Sequence, residues 1–102
     1  MNDIKNLLIE KKTMKYIQNL DMNRRSQIKS ALAGLLETPP LGDIKAVIGK
    51  PPLMRLRVGN YRIIFYVENN IVRILKVAPR GQAYKNMRWA KWKNNTYKSL
   101  KY

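Results

Sequence analysis

Three β-rich runs, residues 53–58, 61–68 and 71–78, are separated by only two residues each, Gly59-Asn60 and Asn69-Asn70. Links of that length and composition close hairpins, so the three runs form an antiparallel meander. The turn positions fix the register: Val58 faces Tyr61, Arg57 faces Arg62, Leu56 faces Ile63 and Arg55 faces Ile64. Alternation along each strand then sorts the side chains. Met54, Leu56, Val58, Tyr61, Ile63, Phe65 and Val67, joined by Val72 and Ile74, make an apolar face. Arg55, Arg57, Arg62, Ile64, Tyr66 and Glu68, joined by Arg73, Leu75 and Val77, make the other. By the same count Lys76 falls on the apolar face and snorkels at its edge. Pro79 ends the last strand, leaving Arg80 just beyond it, near the Arg62 end.

An apolar sheet face needs a cover, and the residues before the meander supply one. Thr13 can cap a helix through Leu20 with Tyr16, Ile17 and Leu20 on one side. Asp21 or Asn23 can cap a second, in which Ile28, Leu32, Leu35 and Leu36 recur at the spacing of a helix laid on a core. Thr38, Pro39 and Pro40 stop it, and the short link between the two helices makes them a hairpin. Residues 4–10 read as a strand; residues 41–52, punctuated by two Gly and two Pro, read as a loop that buries Ile44, Val47 and Ile48 in part. The expected fold is therefore α+β: an N-terminal strand, a two-helix hairpin and a three-stranded antiparallel meander in one domain over residues 1–85. Residues 86–102 form a basic aromatic extension, part of the same domain or a tail.

The chain carries 21 Lys plus Arg against 6 Asp plus Glu, a formal charge of +15. Such an excess points to an anionic partner, whether nucleic acid, acidic protein or anionic membrane surface. With no Cys and no His, thiolate zinc sites, Cys or His nucleophiles and imidazole acid–base chemistry are excluded. The six acids are scattered, which argues against paired-carboxylate hydrolysis and hard-cation sites. No cofactor or metal is expected. The N-terminus has no cationic segment followed by a long apolar run, and no run approaches the ~20 residues of a membrane span, so a cytoplasmic protein is expected.

Arg57 directly opposite Arg62, with Arg55 two residues along and Arg80 approaching, is a local electrostatic cost of roughly 0.2–1 kcal/mol per opposed pair. A bound anion would relieve it, and guanidinium forks suit phosphate. The alternative is a solvated basic face in a chain that is basic throughout. Beyond residue 85, Arg88, Lys91, Lys93, Lys98 and Lys101 interleave with Trp89, Trp92, Tyr97 and Tyr102. Cations alternating with π faces suit single-stranded or ribosomal RNA, and equally a tail packed through its tryptophans.

The order of elements, the stretch from Met54 to Lys85 (MRLRVGNYRIIFYVENNIVRILKVAPRGQAYK) and the preceding PPLGD at residues 39–43 resemble the RelE/ParE superfamily of bacterial type II toxins, the RelE-type mRNA interferases most. That resemblance implies metal-free cleavage of mRNA in the ribosomal A site, the 2′-hydroxyl attacking the adjacent phosphate. On it, Arg55 and Arg57 hold places that relatives often fill with Lys, and Arg62 matches the arginine after the hairpin. Arg80 would stabilise the pentacovalent phosphate, and Tyr84 would stack on a base or take part in proton transfer. Arg73, Lys85, Arg88, Lys91 and Lys93 are candidate RNA contacts. The implied partners are mRNA, the ribosome and an acidic antitoxin. Two departures stand out: arginine stays charged and cannot readily act as general base, and Ala78-Pro79 replaces a Gly-basic or Gly-His pair. A ParE-like gyrase inhibitor and a noncatalytic RNA-binding module are the competing functions.

Overall fold

The structure, a computed structural model, describes residues 6–83 together with the backbone of residues 97–100. In chain order it contains β1 (Asn6–Glu10), α1 (Lys11–Gln18), α2 (Met22–Gly34), β2 (Asp43–Ala46), β3 (Met54–Val58), β4 (Tyr61–Glu68), β5 (Ile71–Pro79), a 3₁₀ turn (Arg80–Gln82) and β6 (Tyr97–Leu100). The strands form one sheet in the order β2-β3-β4-β5-β1-β6. The meander has the expected register, from Met54 opposite Phe65 to Val58 opposite Tyr61. Gly59 opens the first turn at φ 56°, the glycine position of a II′ hairpin. Asn69 and Asn70 both take positive φ, as a I′ hairpin requires.

The sheet is mixed, not purely antiparallel: β1 runs parallel to β5, pairing Asn6 with Ile71 through Ile9 with Ile74. The chain enters β2 from the helical hairpin antiparallel to β1, and the three reversals through β3, β4 and β5 leave β5 running parallel to β1 beside it. The segment read as a loop contributes β2, antiparallel to β3. Gly42 makes this entry possible. Its φ is +123°, and a Cβ there would lie 2.5 Å from Leu56 Cδ1. In the same segment Val47 is buried, but Ile48, expected to be partly buried, is 96% exposed.

The main core lies between the helices and one sheet face. Ile17, Ile28, Leu32 and Leu35 pack on Leu7, Ile9, Leu56, Ile63, Phe65, Val72, Ile74 and Val77. Asp21 caps α2, its carboxylate accepting from Arg24 N at 2.9 Å, and these hydrogen bonds hold its carboxyl below the usual range. Thr13 does not cap α1, which ends at Gln18 rather than Leu20; Glu10 takes that place, accepting from Thr13 N. Thr13 is buried instead, and its hydroxyl donates to the Leu75 carbonyl at 3.0 Å.

That hydrogen bond sits at the one irregularity in the meander. The β4–β5 ladder pairs Ile64 with Lys76 and Phe65 with Ile74, so Leu75 is an extra residue, a β-bulge. One extra residue inverts the alternation beyond it. Val77 therefore turns into the main core, and Lys76, expected on the apolar face, moves to the arginine face.

Candidate nucleic-acid interface

The face away from the helices is divided. Its middle is a small second core, in which Ile64, Tyr66, Leu75 and Ala78 pack with Val47, Leu53 and Ala83. Burial pushes the Tyr66 hydroxyl above its ordinary pKa, with Arg73 opposing and Glu68 reinforcing. The hairpin end carries the charge. Two rows of same-face side chains cross the strands there: Asp43, Arg57, Arg62 and Ala78 in one, Lys45, Arg55, Ile64 and Lys76 in the next. Rows two residues apart are about 6.7 Å apart along the strands.

Each arginine is held differently. Arg62 is only 8% exposed, and its Nη1 donates to the carbonyls of Gly59 at 3.1 Å and Tyr61 at 3.0 Å. It buttresses the first hairpin turn from beneath. Arg57, its cross-strand partner, is exposed. Arg55 is tucked against the sheet with its Nη2 3.8 Å from Asp43 Oδ1. Arg80 is exposed on the 3₁₀ turn, and its backbone N–H donates to Asn60 O at 2.8 Å. That bond ties the end of β5 to the first hairpin turn. Arg55, Arg57 and Arg62 thus come from β3 and β4 to one end of one face, and the backbone bond to Asn60 sets the turn that carries Arg80 beside that end. Guanidinium groups gathered around an exposed surface can bind phosphate-like anions.

Arg73 is not part of this set. It stands opposite Tyr66, four residues along β4 from Arg62 or about 13 Å, with its Nε 3.6 Å from Glu68 Oε1. Tyr84, Lys85, Arg88, Lys91 and Lys93 lie outside the described residues. The backbone of β6, in the extension, pairs antiparallel with β1, Leu7 opposite Leu100 and Glu10 opposite Tyr97. Three residues of the charged end were missed by sequence reasoning. Lys76 was hidden by the bulge, and Asp43 and Lys45 by reading β2 as a loop; the alternation in Asp43-Ile44-Lys45 was the available signal for the latter two. No group of three or more His, Cys, Asp or Glu able to hold a metal occurs among the described residues. No helix among them is long and apolar enough to cross a membrane.

Comparison with known proteins agrees with this architecture. Residues 11–84 match the family described as ParE toxin of type II toxin-antitoxin system, parDE. A curated protein of Methanocaldococcus jannaschii named "Putative toxin RelE1" is 31% identical over 87 residues, covering 79% of this chain and 96% of that protein. Two solved structures superpose well. The archaeal RelE-RelB complex from Pyrococcus horikoshii OT3 gives a TM-score of 0.64 at 28% identity, over 78% of this chain and 99% of that one. The RelB-RelE antitoxin-toxin complex from Methanococcus jannaschii gives 0.65 at 25% identity, over 79% and 99%. From the match over residues 11–84, the sheet built around a parallel β1–β5 pair and these relatives, the chain belongs to the RelE/ParE superfamily of type II toxin–antitoxin toxins.

Proposed function

We propose that this toxin is an endoribonuclease that cleaves mRNA in the ribosomal A site. The observation that carries the reading is the gathering of Arg55, Arg57 and Arg62 at one end of a sheet face, with Arg80 on the turn tied to that end. In the proposed reaction the 2′-oxygen bonds to phosphorus and the P–O5′ bond breaks, leaving a 2′,3′-cyclic phosphate and a 5′-hydroxyl. Charge accumulates on the non-bridging oxygens as the pentacovalent phosphate forms. Arg57 and Arg80, both exposed, face it with permanent positive charge, while Arg62 fixes the turn that spaces them. Guanidinium groups already in place need no reorganisation as that charge appears. Tyr84, directly after the described residues, is assigned to stacking on a base or to proton transfer. The lysines and arginine of residues 85–93 are assigned to ribosomal or messenger RNA, and an acidic antitoxin is the expected cytoplasmic partner, by analogy with the RelE-RelB complexes.

The test is primer extension on a defined mRNA in a reconstituted translation reaction, with and without ribosomes. The wild type should produce new 5′ ends that need ribosomes, and Arg57→Gln and Arg80→Gln should each lose them by at least about 100-fold. Arg62 is a poor choice for that comparison, because it holds the hairpin. An intact message with folded wild type would overturn the reading. The matched family bears the ParE name, so inhibition of gyrase supercoiling is the second reading and the assay to run next.

A further inference from the structure

We infer that Asp43 is the proton acceptor for the attacking 2′-hydroxyl, an assignment that rests on the endoribonuclease reading. The chain contains no His and no Cys, and arginine does not give up its proton in the working range. Lysines stand in the same rows, but a carboxylate is the group that carries a basic lone pair in its ordinary ionised form, whereas an ammonium is a donor with no acceptor. Of the six acids, Asp43 alone among the described residues stands in the cationic rows. It lies directly across from Arg57, which lies directly across from Arg62. Glu68 shares the face but sits at its far end, beside Arg73. Glu10 is occupied in capping α1.

Stability does not explain an acid at this place. The Asp43–Arg55 contact is long, at 3.8 Å, and the Asp43 side chain is 45% exposed. Pairs of that kind contribute little to stability. Phosphate binding does not explain it either, since a fixed negative charge beside the anion site weakens binding. A surface that only bound RNA would hold tighter without it. The position is nonetheless built with care: Gly42, at φ +123° against Leu56, sets the path of the chain into β2 immediately before Asp43. Lys45 on the same strand and Arg55 and Arg57 on the next are the charged groups that surround the carboxylate.

The step balances without a metal. The 2′-oxygen passes its proton to an Asp43 carboxylate oxygen as it bonds to phosphorus; the P–O5′ bond breaks, O5′ takes a proton from water, and Asp43 returns its proton to solvent.

The assignment predicts opposite changes in rate and affinity. Single-turnover cleavage of a defined mRNA on programmed ribosomes should fall at least about 100-fold in Asp43→Asn, the scale of a positioned base. Affinity for the same complexes carrying a 2′-O-methyl nucleotide at the cleavage point should stay equal or tighten, because a negative charge has been removed. Asp43→Glu should recover part of the rate. A variant that cleaves within about tenfold of wild type overturns the assignment alone, as does one that loses rate and affinity together, the signature of a carboxylate that merely holds Arg55. Failure of the wild type to cleave at all overturns the endoribonuclease reading and this assignment with it.

Discussion

Arg57 and Arg62 are opposed across one hairpin, yet they do different work. Arg62 is buried and donates to two carbonyls at the turn, whereas Arg57 is exposed. Replacing Arg62 with Ala removes both hydrogen bonds and the packing of a buried side chain, and should cost about 1–3 kcal/mol. Arg57→Ala should leave stability within about 0.5 kcal/mol or raise it slightly, since it removes the repulsion between the pair. Urea unfolding midpoints of the two variants check this; equal losses would contradict the separate roles. The opposition of Arg57 and Arg62 was legible because the turn residues at 59 and 60 fix the register. That Arg62 would fold back on its own turn was not, because a carbonyl partner leaves no mark on the side-chain sequence.

The bulge in β5 decides which side chains reach the charged face, and one hydroxyl supports it. Thr13, on α1, donates to the carbonyl of Leu75. Thr13→Val preserves shape but leaves that buried carbonyl without its donor, and should lower stability by about 1–3 kcal/mol in the same urea measurement. A loss below about 0.5 kcal/mol would mean the bulge is held by packing alone. Sequence alternation identified β3 and β4 correctly along their whole length, and β5 as far as Leu75. It failed at Lys76 and Val77 because a bulge adds one residue without altering composition. It also failed at residues 43–46, where flanking Gly and Pro outweighed a four-residue alternating run. The parallel placement of β1 was equally hidden, since pairing partners 65 residues apart, as Asn6 and Ile71 are, leave no local pattern.

At the scale of the molecule, a charge of +15 makes any RNA affinity steeply dependent on salt. Binding of an uncleavable single-stranded RNA should weaken linearly on a log–log plot against salt. Lys76→Gln should reduce the magnitude of that slope by about 0.7, the increment for one phosphate contact to a single strand. An unchanged slope would remove Lys76 from the interface. The overall charge was read directly from composition and the opposed arginines from the hairpin register, but the places of Lys45 and Lys76 beside them depend on β2 and on the bulge, and so became visible only with the fold.

The parallel β1–β5 pair also governs when the protein becomes dangerous. β1 is made first and has no neighbour in the sheet until residues 71–74 exist, and the charged end stays unfinished until Lys76 and Arg80 follow. Closing a span of that length is slow compared with forming a helix or a hairpin. A chain still being synthesised thus carries its arginines on an unassembled sheet, and the charged face is complete only after β5 has emerged and paired with β1.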